Sequence, residues 1–241
     1  HSLNDRDLQT VKLFAELVVQ QLDAELEDRR VGSERQSRIQ SVFDDNLLST
    51  RFQPIISLTD GALKGFEALS RFDTEPYRTP DVWFNEAAQI GRGVELEIEA
   101  IKSALTGARA LPDGISLSLN VSPQCLMSQE LSDALSDAEP SKIILEVTEH
   151  AQVADYDALV QQITAVKTAC YRIAVDDAGA GYASLNHIVQ LQPDIIKLDI
   201  SLTRNVHLDQ VRRSLANALV FFAKETSAAI VAEGVETRGE M

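Results

Sequence analysis

The sequence predicts an α/β fold: a TIM-like (βα)8 barrel with an antiparallel first strand, preceded by an N-terminal amphipathic helix. Three observations predict it. From Asp45 onward, short apolar β-like runs alternate with helix-length amphipathic stretches, the pattern of a parallel sheet covered by helices. The first two runs are separated by a turn at Thr59, Asp60 and Gly61, too short for a helical crossover, so they form an antiparallel hairpin. Six of the runs carry an acid, an amide or a lysine near the C-terminal end, which is where such a barrel gathers its chemistry.

In chain order, Leu8, Val11, Phe14, Val18, Leu22 and Leu26 recur at three- and four-residue steps and make one apolar stripe of a helix. Asn4 is its candidate N-cap, with Asp5 and Asp7 at the positive end of the dipole. From Glu27 to Gln40 the sequence turns polar, with Gly32 and Ser33 reading as a break, so a connector is expected there. Residues 1–44 are thus expected to be a helix and connector, and residues 45–241 a barrel. The predicted strands are Phe52–Leu58, Leu63–Ser70, Ile115–Ser122, Lys142–Glu149, Arg172–Gly179, Ile195–Asp199 and Ala228–Glu236. Helices are predicted over Val94–Ala110, Tyr156–Ala169 and Leu208–Lys224. The N-terminal helix resembles the closing helix of a GAF-type sensor domain; packing on the barrel or on a second copy of the chain would serve it equally.

The net charge of −15 disfavours tracking along a nucleic-acid polymer. Cys125 and Cys170 stand in no metal or redox spacing, as expected for thiols in a reducing compartment. No apolar run reaches the length of a membrane span, and the charged first thirty residues are no secretory signal. A cytoplasmic setting is expected. The chain begins with His1 rather than Met, so it is expected to be cut from something longer.

The polar groups that close the apolar runs are Glu67, Asn120, Glu146, the pair Asp176 and Asp177, Lys197, and Glu233. An unpaired carboxylate in an apolar setting costs several kcal/mol, so so many strand ends carrying one point to a shared pocket. All but Lys197 offer oxygen, a set suited to Mg²⁺ or Mn²⁺ rather than zinc. Carboxylates so crowded repel one another unless cations intervene, and a pair of metals could drive in-line displacement at a phosphodiester. Lys197 could orient or help deprotonate an attacking water, or be a structural salt bridge holding the acids apart. His150, His187 and His207 fall outside the runs and read as surface or loop residues. Gly179 and Gly181 follow the paired aspartates and allow a tight turn beside the pocket.

These residues resemble the EAL family of cyclic di-GMP phosphodiesterases from Phe52 through Glu236. The motif Glu67-Ala68-Leu69 is followed by Arg71 and preceded by Gln53-Pro54-Ile55. Leu119–Ser122, Leu145–Glu149, Val175–Asp177, Ile196–Asp199 and Ala232–Glu236 follow in the family's order. The resemblance implies one cation held by Glu67, Asn120, Glu146 and Asp176, and a second held by Asp176, Asp177 and Glu233. It implies that Lys197 assists the nucleophilic water, with Glu67 and Glu233 also catalytic, and that Gln53, Leu69 and Arg71 bind the dinucleotide. Asp199 and Glu236 would support the ligands, and Glu149 would hold the loop containing Gly179 and Gly181. The reaction implied is hydrolysis of cyclic di-GMP to linear pGpG, in a homodimer and downstream of a sensor domain.

Two departures bear on this. Ala178 and Ala180 stand where the family has Phe and then Thr or Ser, which is expected to modulate the loop and dimerisation. The family also has a further helix and an eighth strand with a Gln, whereas this chain ends at Met241, so an open barrel with an unpaired edge is expected. Competing readings are a cyclic di-GMP receptor without turnover, an enolase-like barrel with a lysine base, and a purely structural interaction domain.

Overall fold

A computed structural model describes residues 5–112, 114–147, 155–179 and 188–241. The chain divides into two compact units, residues 1–47 with 72–93, and residues 48–71 with 94–241.

The first unit is built on α1 (Asp5–Asp44), which runs unbroken through Gly32 and Ser33. The break expected at Gly32 and Ser33 is therefore absent, and the segment expected as a connector is helical. Its polar residues sustain the helix: Arg30 bonds Glu27 and Glu34 one turn away on either side at 2.6 and 2.7 Å, and Gln40 bonds Asp44. Such pairs each add a few tenths of a kcal/mol, against a glycine cost of about 1 kcal/mol. Ile39 and Val42 then anchor the helix by full burial. Helix α2 (Pro80–Gln89) completes the unit: Glu86 accepts from Arg38 at 2.8 and 3.0 Å and from Arg78 at 3.1 Å, and Phe72 stacks on the buried Trp83. The candidate cap Asn4 lies outside the described residues.

The second unit carries a curled, seven-stranded half-barrel sheet in sequential order. Its strands are β1 (Leu48–Ile56), β2 (Leu63–Phe72, whose last residue passes into the first unit), β3 (Ser116–Val121), β4 (Ile143–Val147), β5 (Arg172–Ala178), β6 (Ile195–Leu198) and β7 (Ala229–Ala232). The β1–β2 pair is antiparallel, its turn closed by Ser57 N–H on Ala62 O and by Gly61, at φ +70°, on Ser57 O. Every later pair is parallel. Among the described residues β1 and β7 form the edges of the sheet.

Helices α3 (Gly93–Ala108), α6 (Tyr156–Thr168) and α8 (Gln210–Glu225) match the predicted segments within two residues. Short helices α4 (Pro123–Leu126), α5 (Gln129–Ala134) and α7 (Ile200–Thr203) follow strand ends. Asp155 and Asp209 cap α6 and α8, consistent with their place just before the apolar periodicity. The main core joins helix residues Leu159, Ile163, Leu219 and Ala223 to strand residues Leu119, Leu145, Ile173, Val175 and Ile196. On the other face of the strands, Ile144, Ala174 and Ile195 form a smaller buried cluster with Val231 against it. Burial on both faces explains why β4 and β6 read as continuous apolar runs.

Two strand bounds depart from expectation. β1 begins at Leu48, four residues earlier than predicted, because an edge strand tolerates the half-buried Ser49 and Thr50 and the exposed Arg51 on its alternating faces. β7 ends at Ala232 rather than Glu236, because Gly234 turns the chain at φ +62°.

Candidate active site

Side chains two apart on a strand share a face, and this periodicity assembles the site. Beyond the small cluster of Ile144, Ala174, Ile195 and Val231, the next residues on the same face are Glu146, Asp176, Lys197 and Glu233. Parallel register sets them side by side: Asn120 pairs with Glu146, Glu146 with Ala174, and Lys197 with Val231. The Glu233 N–H bonds Leu198 O at 3.0 Å. Glu67 enters from β2, paired with Ser118.

Asp176 and Asp177 should face opposite sides of a regular strand. Between Val175 and Ala178 the β5–β6 register slips by one residue, a bulge that leaves Asp177 at φ +56°. The Asp177 N–H donates to Asp176 Oδ1 at 2.9 Å, and both carboxylates reach the same pocket. Two sets of three acids result, Glu67 with Glu146 and Asp176, and Asp176 with Asp177 and Glu233. Within each, the ligand oxygens lie within 4.8 Å of one another. Asp176 belongs to both.

Lys197 sits among them. Its Nζ is 2.7 Å from Glu146 Oε2, 2.8 Å from Glu233 Oε1, 3.1 Å from Asp176 Oδ2 and 3.3 Å from Glu67 Oε2, and its side chain is 2% exposed. Burial disfavours the ammonium, but Glu146, Asp176, Glu67 and Glu233 outweigh burial and hold its pKa well above the usual lysine range. In this arrangement Lys197 donates hydrogen bonds to Glu146 and Asp176. Burial pushes the Glu146 carboxyl up to about 7, with Lys197 opposing and Glu67 and Asp176 adding to the rise. Burial likewise raises Glu233, again against Lys197.

The other expected residues sit as follows. Asn120 Nδ2 donates to Glu67 Oε1 at 3.3 Å, at the border of the first set. Leu69 and Arg71 share the Glu67 face of β2 by alternation and are half-buried, and Arg71 bonds the Ser70 carbonyl. Gln53 is exposed on β1. Asp199 caps α7 through the Ser201 N–H, while Glu236 is exposed and pairs with Arg204 at 2.6 Å; neither joins the acid sets. Gly179, at φ +105°, packs where an added Cβ would lie 3.0 Å from Leu202. Gly181, Glu149, Ala180, His150 and His187 lie outside the described residues. His207 is exposed, Cys125 is buried and Cys170 exposed.

Two supports were not read from the sequence. Glu97 on α3 accepts the Ser122 N–H at 2.8 Å, bracing β3 two residues beyond Asn120; burial raises its carboxyl despite that bond. Thr203 donates its hydroxyl to the Glu233 carbonyl, tying α7 to the end of β7. The only sequence signal for Glu97 was an acid flanked by Leu96 and Ile98 on an otherwise apolar helix face.

The donor set fits hard divalent cations: two oxygen-only triads in which acids outnumber the single ammonium, in a setting that burial already makes costly for charge.

Comparison with known proteins agrees with this fold. The family model described as "EAL domain" matches residues 36–241. An uncharacterized signaling protein of Caulobacter vibrioides is 30% identical over 206 residues, 82% of this chain and 25% of its own length. The probable cyclic di-GMP phosphodiesterase PdeG of Escherichia coli is 28% identical over 202 residues, 79% of this chain and 40% of its own. The chain thus spans a minor part of these relatives. Among solved structures, Klebsiella pneumoniae BlrP1 in a calcium and cyclic di-GMP complex superimposes with a TM-score of 0.71. It is 30% identical, over 80% of this chain and 50% of that one. BlrP1 has also been solved as a manganese and cyclic di-GMP complex. The sequence motifs, the fold and the family match coincide: the chain belongs to the EAL domain family.

Proposed function

We propose that this chain is a cyclic di-GMP phosphodiesterase that hydrolyses one of the two phosphodiesters to give linear pGpG, using two Mg²⁺ or Mn²⁺ ions. The observation that carries the proposal is the pair of acid triads sharing Asp176 on one face of the sheet. The names and complexes of the relatives supply the substrate class. Glu67, Glu146 and Asp176, with Asn120 alongside, would hold one cation, and Asp176, Asp177 and Glu233 the other. When bound, the cations supply Lewis acidity toward the phosphodiester and water.

The chain's own residues do the rest. Glu146 and Asp176 receive hydrogen bonds from Lys197, which fixes which of their oxygens remain turned to the pocket. Lys197, as an ammonium, orients the attacking water by donating to it. Arg71 offers a cation on the Glu67 face for a phosphate oxygen, and Leu69 and Gln53 offer contacts to the rest of the dinucleotide. Water oxygen bonds to one phosphorus, the 3′ oxygen leaves and takes up a proton, and the other phosphodiester stays closed. A sensor upstream, a homodimer formed near the loop after β5, and a cytoplasmic setting complete the reading. Among the described residues no helix is long and apolar enough to cross a membrane.

Incubating the protein with cyclic di-GMP and Mn²⁺, with products followed by chromatography, tests the proposal. Linear dinucleotide should appear, stop with EDTA, and be absent for Glu67→Ala. Binding of cyclic di-GMP without any turnover would favour the receptor reading.

A further inference from the structure

The two acid triads have one cationic neighbour in common. Lys197 Nζ contacts three oxygens of the first triad, at 2.7, 3.1 and 3.3 Å, and reaches the second through Asp176 and through Glu233 at 2.8 Å. An ammonium has three protons to donate, yet four carboxylate oxygens crowd it here, so at least one contact is held by charge alone. Asn120 bonds Glu67 but offers no charge, and Arg71, on the Glu67 face, bonds the Ser70 carbonyl. The apolar residues one step down the strands, Ile144, Ala174 and Ile195, are buried and offer no charge. Truncating one partner of a buried ionic cluster leaves the others uncompensated and is strongly destabilising.

We infer that Lys197 is the shared internal counter-ion of both triads, holding the ligand oxygens together while no cation is bound and yielding contacts when cations bind. The inference rests on the two-cation reading of the site. Lys197 thereby acts as a positioning residue in the metal-free protein. Lys197 and the cations compete for the same charge, so their contributions to stability are coupled. A salt bridge that merely braced the strands would contribute equally with and without cations.

The test is the thermal unfolding midpoint of the wild type and Lys197→Met, each in EDTA and in saturating Mn²⁺. The substitution keeps length and removes charge. In EDTA the variant should unfold at least 10 °C lower than wild type, and Mn²⁺ should recover at least half of that gap. Equal losses in both conditions, or no loss in EDTA, would overturn the inference while leaving the cation reading intact. A wild type with no Mn²⁺-dependent shift and no Mn²⁺ binding by calorimetry would instead remove the cation reading, and this inference with it. If Lys197→Met does not fold, the double variant Glu146→Gln with Lys197→Met decides, since it removes the most buried acid together with the ammonium. It should fold in EDTA. A double variant as unfolded as the single one would show that charge balance is not what Lys197 supplies.

Discussion

Glu86 illustrates how a single carboxylate is held in this protein. It costs energy to bury, but Arg38 grips both of its oxygens and Arg78 adds a third bond, and together they outweigh burial and bring its pKa below the usual value. A depressed carboxyl contributes stability above its unfolded pKa, about 4.3, and loses it as pH falls through the folded value. Glu86→Gln should therefore lower stability at pH 7 by about 1–3 kcal/mol. In urea denaturation the gap to wild type should narrow below about pH 4. A pH-independent gap would mean the ion pair is not its source. In the site the balance runs the other way: burial dominates at Glu146 and Glu233 and raises both. Glu67, Asn120, Glu146, Asp176, Lys197 and Glu233 were legible in sequence because each interrupts an apolar run, where an uncompensated polar group is too costly to be incidental. Glu97 and Thr203 were not, since neither lies on a predicted strand and their partners, the Ser122 N–H and the Glu233 carbonyl, are remote in sequence.

At the scale of elements, apolar periodicity placed the three long helices of the second unit, α3, α6 and α8, and the interior of every strand, because each buries one side against the core; it did not place the short helices α4, α5 and α7. It misjudged segments whose partners are polar. The stretch after Leu26 has no apolar stripe, and its helix is held by side-chain pairs around Arg30. A Cβ added at Gly32 would meet nothing within 4 Å, and its φ is not positive. Gly32→Ala should thus stabilise α1 by about 0.5–1 kcal/mol, seen as a higher midpoint when helix is followed by circular dichroism. A lower midpoint would restore the expected break. The bulge at Asp177 was likewise illegible. The paired aspartates stood out, but only the register slip between Val175 and Ala178 explains how both reach one face.

Over the whole molecule, the chain carries a net charge of −15, and among the described residues the two triads of acids lie where parallel strands end together. An acidic protein that handles a phosphodiester must neutralise its own field first, and the proposed function assigns that task to cations at the triads. The alternation of runs indicated the barrel class and the order of the strands, since it leaves few topologies; the proposed division of the acids between two cations was implied by the family resemblance, and the spacing of their oxygens supports it. The central claim is that both cations depend on Asp176. Calorimetric titration of Mn²⁺ into the metal-free protein tests it directly. The wild type should bind two ions per chain, Glu233→Gln should keep one, and Asp176→Asn should lose both. Retention of one tight ion by Asp176→Asn, or a wild type that binds only one, would contradict the account.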